Sequence, residues 1–453
     1  MDNKNENTNE NMKGNESNTQ STNTSTPMIK QSNQFNSKRK MIALIAMLVV
    51  VILGTCYGIY RGAKKDPIPT PVVVLPNEIE PEIIPNPRVK LCFAGDIVQH
   101  MPINTDAYNQ ETGKYDFTYL YEYARKYFEV ADYSACCIET TLNTKNRKIS
   151  SYPQFCSPDE VATSLKEVGM DLIATSSNHA NDTRKSGIDT TLDVLDEIGL
   201  DHVGTYRSQE ERDKNHGVLL KNINDISIAF LNYTYGTNGI SADAYPYAIN
   251  IFNKDYLTYM RDINYELVGE DMKYARSLNP DMIVVMVHWG LEYKTVQNSL
   301  QEALADFLFQ EGATLVIGGH PHVPQGMEVR EIPNDDGTTR TGYIVYSLGN
   351  FISNQPYQYT DITAIVNIEI EKDLQTNQID LKHIDYVPMY MLHPNASNTK
   401  HYCLLDIHKA MQEYESGDTT YVNATVYNKL KTALSDCHKL FKLEELVLDK
   451  EAD

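Results

Sequence analysis

The sequence predicts a layered α/β domain with mixed β-sheets flanked by helices, placed behind an N-terminal transmembrane helix. Three observations predict it. From Val89 onward, short apolar runs alternate with amphipathic stretches of helical period. Five of those runs end in a carboxylate, an imidazole or an amide–imidazole pair. Upstream, Met41–Tyr60 is apolar and carries no charge, a length that matches a hydrocarbon core crossed by one helix.

The chain has 453 residues, enough for one large core with appendages. Lys and Arg number 40 against 61 Asp and Glu, a formal charge of -21. That balance argues against a nucleic-acid partner or an anionic membrane surface, both of which reward clustered cations. Seven cysteines, an odd number without a CxxC spacing, give neither a zinc knuckle nor a disulfide scaffold. Adjacent Cys136 and Cys137 on a strand point to opposite faces and read as core fillers.

Residues 1–37 are rich in Asn, Ser, Thr and Gln and read as a disordered tail. Residues 38–65 form the anchor with its basic flanks. Lys30 and Lys38–Lys40 tip the orientation towards a cytoplasmic N-terminus, with the domain outside the cell membrane. Residues 66–88 repeat Pro among Val, Ile and Glu, a stiff extended spacer. The main domain follows over 89–395, and 396–453 form a C-terminal extension of two polar helices, whose docking the sequence leaves open.

Within the domain, Val89–Ala94 is a strand ending in Gly95-Asp96, and Phe117–Val130 is a helix. Ser134–Ile138 is a strand ending in Glu139. Ser157 N-caps a helix with Pro158 in its first turn. Asp171–Ser176 is a strand ending in Asn178-His179, and Ser186–Ile198 is a helix closed by Gly199. Val218–Tyr233 is a hairpin turning near Asn222–Asp225. Helix Tyr265–Leu278 precedes strand Met282–Val287 and His288. Helix Ser299–Gln310 precedes the run Thr314–Ile317, which opens into Gly318-Gly319-His320-Pro321-His322. Pro321 fixes its own φ and biases His320 towards extended geometry, so both imidazoles are held near the strand end. Asp335-Asp336-Gly337 turns a hairpin, and Thr363–Ile370 and Gln378–Asp385 alternate as late strands.

Strand C-termini converge on one rim in open α/β sheets. That rim collects Asp96, Glu139, Asn178, His179, His288, His320 and His322. Carboxylate, amide and imidazole donors together suit manganese, iron or zinc. Singly, Asp96 or Asn178 reads equally well as a turn cap, and His288 as a core histidine. The eight histidines outside the motifs, His100 among them, read as structural or solvent-facing.

The ordered series Phe93-Ala94-Gly95-Asp96, Ile138-Glu139-Thr140-Thr141-Leu142, Ser177-Asn178-His179-Ala180-Asn181-Asp182, His288-Trp289-Gly290-Leu291-Glu292-Tyr293, His320-Pro321-His322 and Tyr346-Ser347-Leu348-Gly349-Asn350-Phe351 resembles the calcineurin-like metallophosphoesterase superfamily. Within it, the chain is most similar to the capsule-synthesis CapA family, which acts in poly-γ-glutamate synthesis. The resemblance spans roughly 89–390 and implies a metallophosphoesterase-like sandwich with one or two divalent ions. It implies that Asp96 and His322 bind the first ion, that Glu139 bridges, and that Asn178, His288 and His320 bind the second. His179 would be the acid that protonates a leaving oxygen, oriented by Asp182. Glu292, Tyr235 and Asn350 would serve the substrate. Phosphoesterases of the superfamily carry a His two residues after the first Asp. Val98 stands there, followed by Gln99 and His100, and the bridging residue is Glu rather than Asp, as in CapA-like proteins. The resemblance thus implies an anionic polymer or a phosphoester as substrate, with membrane synthase subunits as partners. A phosphoesterase and a non-catalytic scaffold remain the rival readings.

Overall fold

The computed structural model describes residues 46–57, 85–142, 147–333 and 337–442, and the chain divides into two units, Met1–Glu82 and Ile83–Asp453. In the first unit, residues 46–57 form a helix exposed along its length. The remainder of the span Met41–Tyr60, the tail 1–37 and most of the Pro-rich spacer lie outside the described residues. Among the described residues no helix is long and apolar enough to cross a membrane.

The second unit is built on two mixed sheets with helices outside each. The first sheet runs in the order Cys403–Asp406, Ile379–Leu392, Ile362–Lys372, Arg88–Ile97, Tyr133–Ile138, Leu172–Ala174, Asp201–Val203, and Asn350–Ile352 pairs beside Arg88–Ile97. The second runs Pro324–Pro333, Thr339–Leu348, Leu315–Gly319, Met282–His288, Ile226–Thr234, Leu219–Ile223. In each sheet the central strands are parallel and the outer hairpins antiparallel.

Alternation along the central strands explains the layering. Met282, Val284 and Met286 face the core between the sheets, where Leu91, Phe93 and Cys137 also point. Ile283, Val285 and Val287 face the helices outside the second sheet. Cys136 points the other way from Cys137, into the layer of helices outside the first sheet. Strands buried on both faces read as unbroken apolar runs, as the sequence of Met282–His288 does.

Two predicted helices differ in the structure. Phe117–Val130 divides into a 3₁₀ turn at Thr118–Tyr121 and a single α turn at Arg125–Glu129. Aromatic residues are weak helix formers, and three tyrosines here reach separate acids. Tyr119 donates to Asp106, Tyr123 to Glu413 and Tyr127 to Asp406. Ser157 is not a cap: its hydroxyl pairs with Thr140 at 2.6 Å, and the helix starts at Glu160 behind Asp159.

The C-terminal stretch docks on this unit. Cys403–Asp406 extends the first sheet, and helix Ala424–Phe441 buries Val426, Leu430, Ala433, Cys437 and Phe441 in the core between the sheets. None of the seven cysteines forms a disulfide.

Candidate metal centre

The donors gather where the central parallel strands of the two sheets end side by side. Asp96 is the penultimate residue of strand Arg88–Ile97, in register with Cys137 on one side and Asn350 on the other. Glu139 follows Tyr133–Ile138 directly, and His288 is the last residue of its strand. His320 and His322 follow Leu315–Gly319. The expected extended geometry at His320 is not found. Its φ is +94° and that of His322 is +62°, left-handed values that non-glycine residues avoid and that concentrate at functional sites. Backbone packing decides it. The His320 amide donates to Asp96 Oδ2 at 2.7 Å, which requires the chain to turn back across the strand end. The two preceding glycines allow that approach. A Cβ on Gly318 would lie 2.0 Å from the Tyr346 carbonyl oxygen, and one on Gly319 would lie 2.4 Å from Asp96 Oδ1.

All six predicted metal-binding residues fall within this one buried cluster. His288 Nε2 lies 2.9 Å from Asn178 Oδ1 and 3.5 Å from Glu139 Oε1. His288 Nδ1 lies 3.9 Å from Asp96 Oδ1, and His322 Nδ1 lies 3.8 Å from Glu139 Oε1. The His320 ring centroid sits 4.9 Å from that of His288 and 5.8 Å from that of His322. Two groups have ligand atoms within 4.8 Å of one another: Asp96, Glu139 and His322, and Asp96, Cys137 and His288. Cys137 is the member the sequence reading did not place here. Its register opposite Asp96 was the signal, and sheet pairing is not legible from one chain.

Four donor atoms in the cluster have no hydrogen-bond partner although they are buried: Asp96 Oδ1, both Glu139 carboxylate oxygens and His320 Nδ1. An unsatisfied buried polar group costs about 1–3 kcal/mol, more when it is charged. Burial pushes the Asp96 carboxyl up, and burial with the Asp96 charge beside it pushes Glu139 well up. Burial and the neighbouring imidazoles hold His288 and His320 well below the usual histidine range, and His322 at about 3. Neutral imidazoles have open lone pairs, and a divalent cation would offset the burial and mutual repulsion that push the two carboxyl groups up, so that they ionise as it binds. The donor set therefore fits the implied metal.

The second ring of residues holds these donors in place. Asn350 Oδ1 lies 2.9 Å from His322 Nδ1, so Asn350 orients an imidazole of the cluster. Tyr235 packs on His320 at 4.5 Å between ring centroids. Glu292, about half exposed, lies 3.9 Å from His322 Nε2. Val98 is buried, Gln99 is bonded to Asn104, and His100 Nδ1 meets the Val98 carbonyl, so none of the three joins the cluster.

His179 stands at the edge of the cluster. Its Nδ1 lies 2.7 Å from Asp182 Oδ2, and Phe155 meets its ring edge-on at 4.6 Å. Asp182 Oδ2 also accepts from the Phe155 amide at 2.6 Å, which fixes the carboxylate. Asn238, in the Tyr233–Asn238 segment that resembles the family, places Nδ2 3.2 Å from His179 Nε2. The Asn238 carboxamide oxygen accepts from Asn178 Nδ2 at 3.2 Å, tying the histidine to the donor cluster.

Residues 90–355 match the family described as bacterial capsule synthesis protein PGA_cap. The chain is 25% identical over 337 residues to the capsule biosynthesis protein CapA of Bacillus anthracis, covering 73% of this chain and 72% of that one. It is 27% identical over 268 residues to the PGA biosynthesis protein CapA of Bacillus subtilis strain 168, covering 59% of this chain and 64% of that one. Among solved structures it is similar to a phosphatase from Mycoplasma pneumoniae, 16% identical with a TM-score of 0.37, covering 67% of this chain and 94% of the other. It is also similar to the calcineurin-like phosphoesterase YfkN of Bacillus subtilis, 13% identical with a TM-score of 0.35, covering 78% and 99% of the two chains.

Proposed function

The chain belongs to the bacterial capsule synthesis protein family PGA_cap, and from that membership we propose that it acts in making, exporting or anchoring an anionic surface polymer such as poly-γ-glutamate, through a divalent-metal site of hydrolase type. The observation that carries the chemistry is the buried cluster whose Asp96, Glu139 and His320 atoms lack partners. Asp96, Glu139, Asn178, His288, His320 and His322 would hold one or two ions of manganese, iron or zinc. Such an ion supplies Lewis-acid polarisation to a carbonyl or phosphoryl oxygen.

The chain's own residues then do the positioning and the proton work. Asp182 accepts from His179 Nδ1 and fixes the ring, leaving Nε2 to hold or release a proton at the edge of the cluster. Asn238 Nδ2 donates to that same nitrogen in its unprotonated form and withdraws when Nε2 carries the proton for a leaving group. Phe155 and the buried walls around His179 exclude water from one face of the ring.

We place the protein as a single-pass membrane protein with a cytoplasmic N-terminus and the Ile83–Asp453 unit outside, alongside membrane synthase subunits. The apolar run Met41–Tyr60 behind Lys38–Lys40 supports this placement.

The test is His179→Ala in cells that depend on this chain for surface polymer. Metal content by elemental analysis and the folded state should be unchanged, while polymer output falls roughly 10²- to 10⁴-fold, the usual contribution of a general acid. Asp182→Asn should lose less, because it keeps an acceptor for the Phe155 amide. Wild-type polymer output from a metal-replete His179→Ala protein would leave a scaffold as the better account. Turnover of a phosphoester panel without any effect on polymer would favour the phosphoesterase reading.

A further inference from the structure

A cleft of 830 Å³ opens beside His320 and Tyr235, bordered by the segment around Phe252–Arg261 and by the loop that follows His288. Leu291, Tyr259 and Met260 give it exposed apolar surface over the buried Phe252 and Trp289, and Arg261 and Lys294 bring two exposed cationic heads to it. Other arginines are taken up by acids, as Arg207 by Asp193, Arg276 by Glu311 and Arg330 by Glu328, or by backbone carbonyls, as Arg184 and Arg340. The Arg261 guanidinium and the Lys294 ammonium have no hydrogen-bond or ion-pair partner among the described residues. The bonds these two residues make run through their backbone atoms. Glu292 also borders the cleft, so Arg261, Lys294 and Glu292 together leave it one net positive charge (two positive, one negative). Asp255 feels the Arg261 charge, but no described acid closes an ion pair with either head, and in a chain of net charge -21 two such heads beside a metal cluster favour negative charge.

We propose that this cleft is a polymer subsite, in which Arg261 and Lys294 clamp the anionic groups of the chain segment adjoining the unit held at the donor cluster. The exposed apolar surface of Leu291, Tyr259 and Met260 packs against the methylene stem between those groups. Arginine engages a carboxylate or phosphate through two parallel hydrogen bonds, and lysine adds a point charge. The subsite rests on the function proposed above and deepens it: the protein takes a linear polyanion in preference to its monomer. Carboxylate and phosphate polymers share the chemistry that the clamp recognises.

Isothermal titration calorimetry reads occupancy of the cleft directly. The full-length protein in detergent, loaded with Mn²⁺, is titrated with a γ-linked glutamate oligomer, with free glutamate and with a glycerol-phosphate oligomer. The glutamate oligomer should bind more tightly than glutamate, and salt should weaken it. Arg261→Gln/Lys294→Gln should weaken oligomer binding roughly 5- to 30-fold, as two solvent-facing charge contacts would. Metal content should stay unchanged and the salt dependence should flatten. Arg261→Lys/Lys294→Arg, which keeps both charges, should stay near wild type. A double Gln variant that binds the oligomer like wild type overturns the subsite and leaves the proposed function standing. Binding of the phosphate oligomer alone, weakened by the same variant, supports the clamp and replaces the polymer. No response to either oligomer overturns the subsite, and loss of surface polymer on His179→Ala would then show separately that the proposed function holds.

Discussion

Replacing His320 by Ala tests the metal cluster most directly. The imidazole is buried, its Nδ1 has no partner, and its ring packs against Tyr235 and His288. Truncation therefore removes both a donor and some packing. The two effects separate when each protein is compared with itself, metal-loaded against metal-stripped, because the packing loss cancels. A metal bound only by the folded state at a hundred-fold excess over its dissociation constant stabilises by about 2.7 kcal/mol. For the unit Ile83–Asp453, an unfolding entropy of roughly 2 cal/mol/K per residue gives ~0.8 kcal/mol/K in total. The wild-type metal-induced rise in Tm is then about 3–4 °C. In His320→Ala that rise should shrink to near zero while elemental analysis shows less bound metal. Differential scanning calorimetry with and without chelator reads both states. Equal metal content and an equal metal-induced rise in the two proteins would refute the argument from unpaired donors. Loss of metal on His322→Ala alone would mean that a site without His320 holds the ion.

Three further outcomes are expected. Gly319→Ala removes no donor, but its Cβ would sit 2.4 Å from Asp96 Oδ1, so metal content should fall in elemental analysis as it does for an Asp96 variant. Phe441→Ala should cost about 3–5 kcal/mol in urea unfolding, because the last helix belongs to the central core; an unchanged midpoint would mean that the helix is an appendage. Protease added to intact cells whose outer surface is accessible should remove Val89 onward and spare the N-terminal segment, and complete protection of the domain would reverse the topology.

Much of the second unit was legible in the chain because its central strands are buried on both faces. Such strands must be continuously apolar, and the residues that break the run mark their ends. Asp96, Glu139, His288 and His320 announce themselves that way, as polar donors directly after apolar runs. The helices Ser299–Gln310 and Tyr265–Ser277 were legible for a local reason as well: Asn298 and Asn264 cap them through hydrogen bonds to nearby amides. Phe117–Val130 was misread because its tyrosines bond to acids far away in sequence, and no local pattern records those partners.

The sequence by itself thus determined the order of the donors along the chain, their chemical types and the dyad spacing of His179 and Asp182, since each follows from period and adjacency along one chain. Only the tertiary structure decided that Cys137 lies beside Asp96, that Asn238 reaches His179, that the last helix enters the core, and that His320 turns to a left-handed φ. Those features depend on which strands pair and which segments pack together. Such pairings are set by the burial of whole faces between two sheets, a constraint that no single stretch of residues contains.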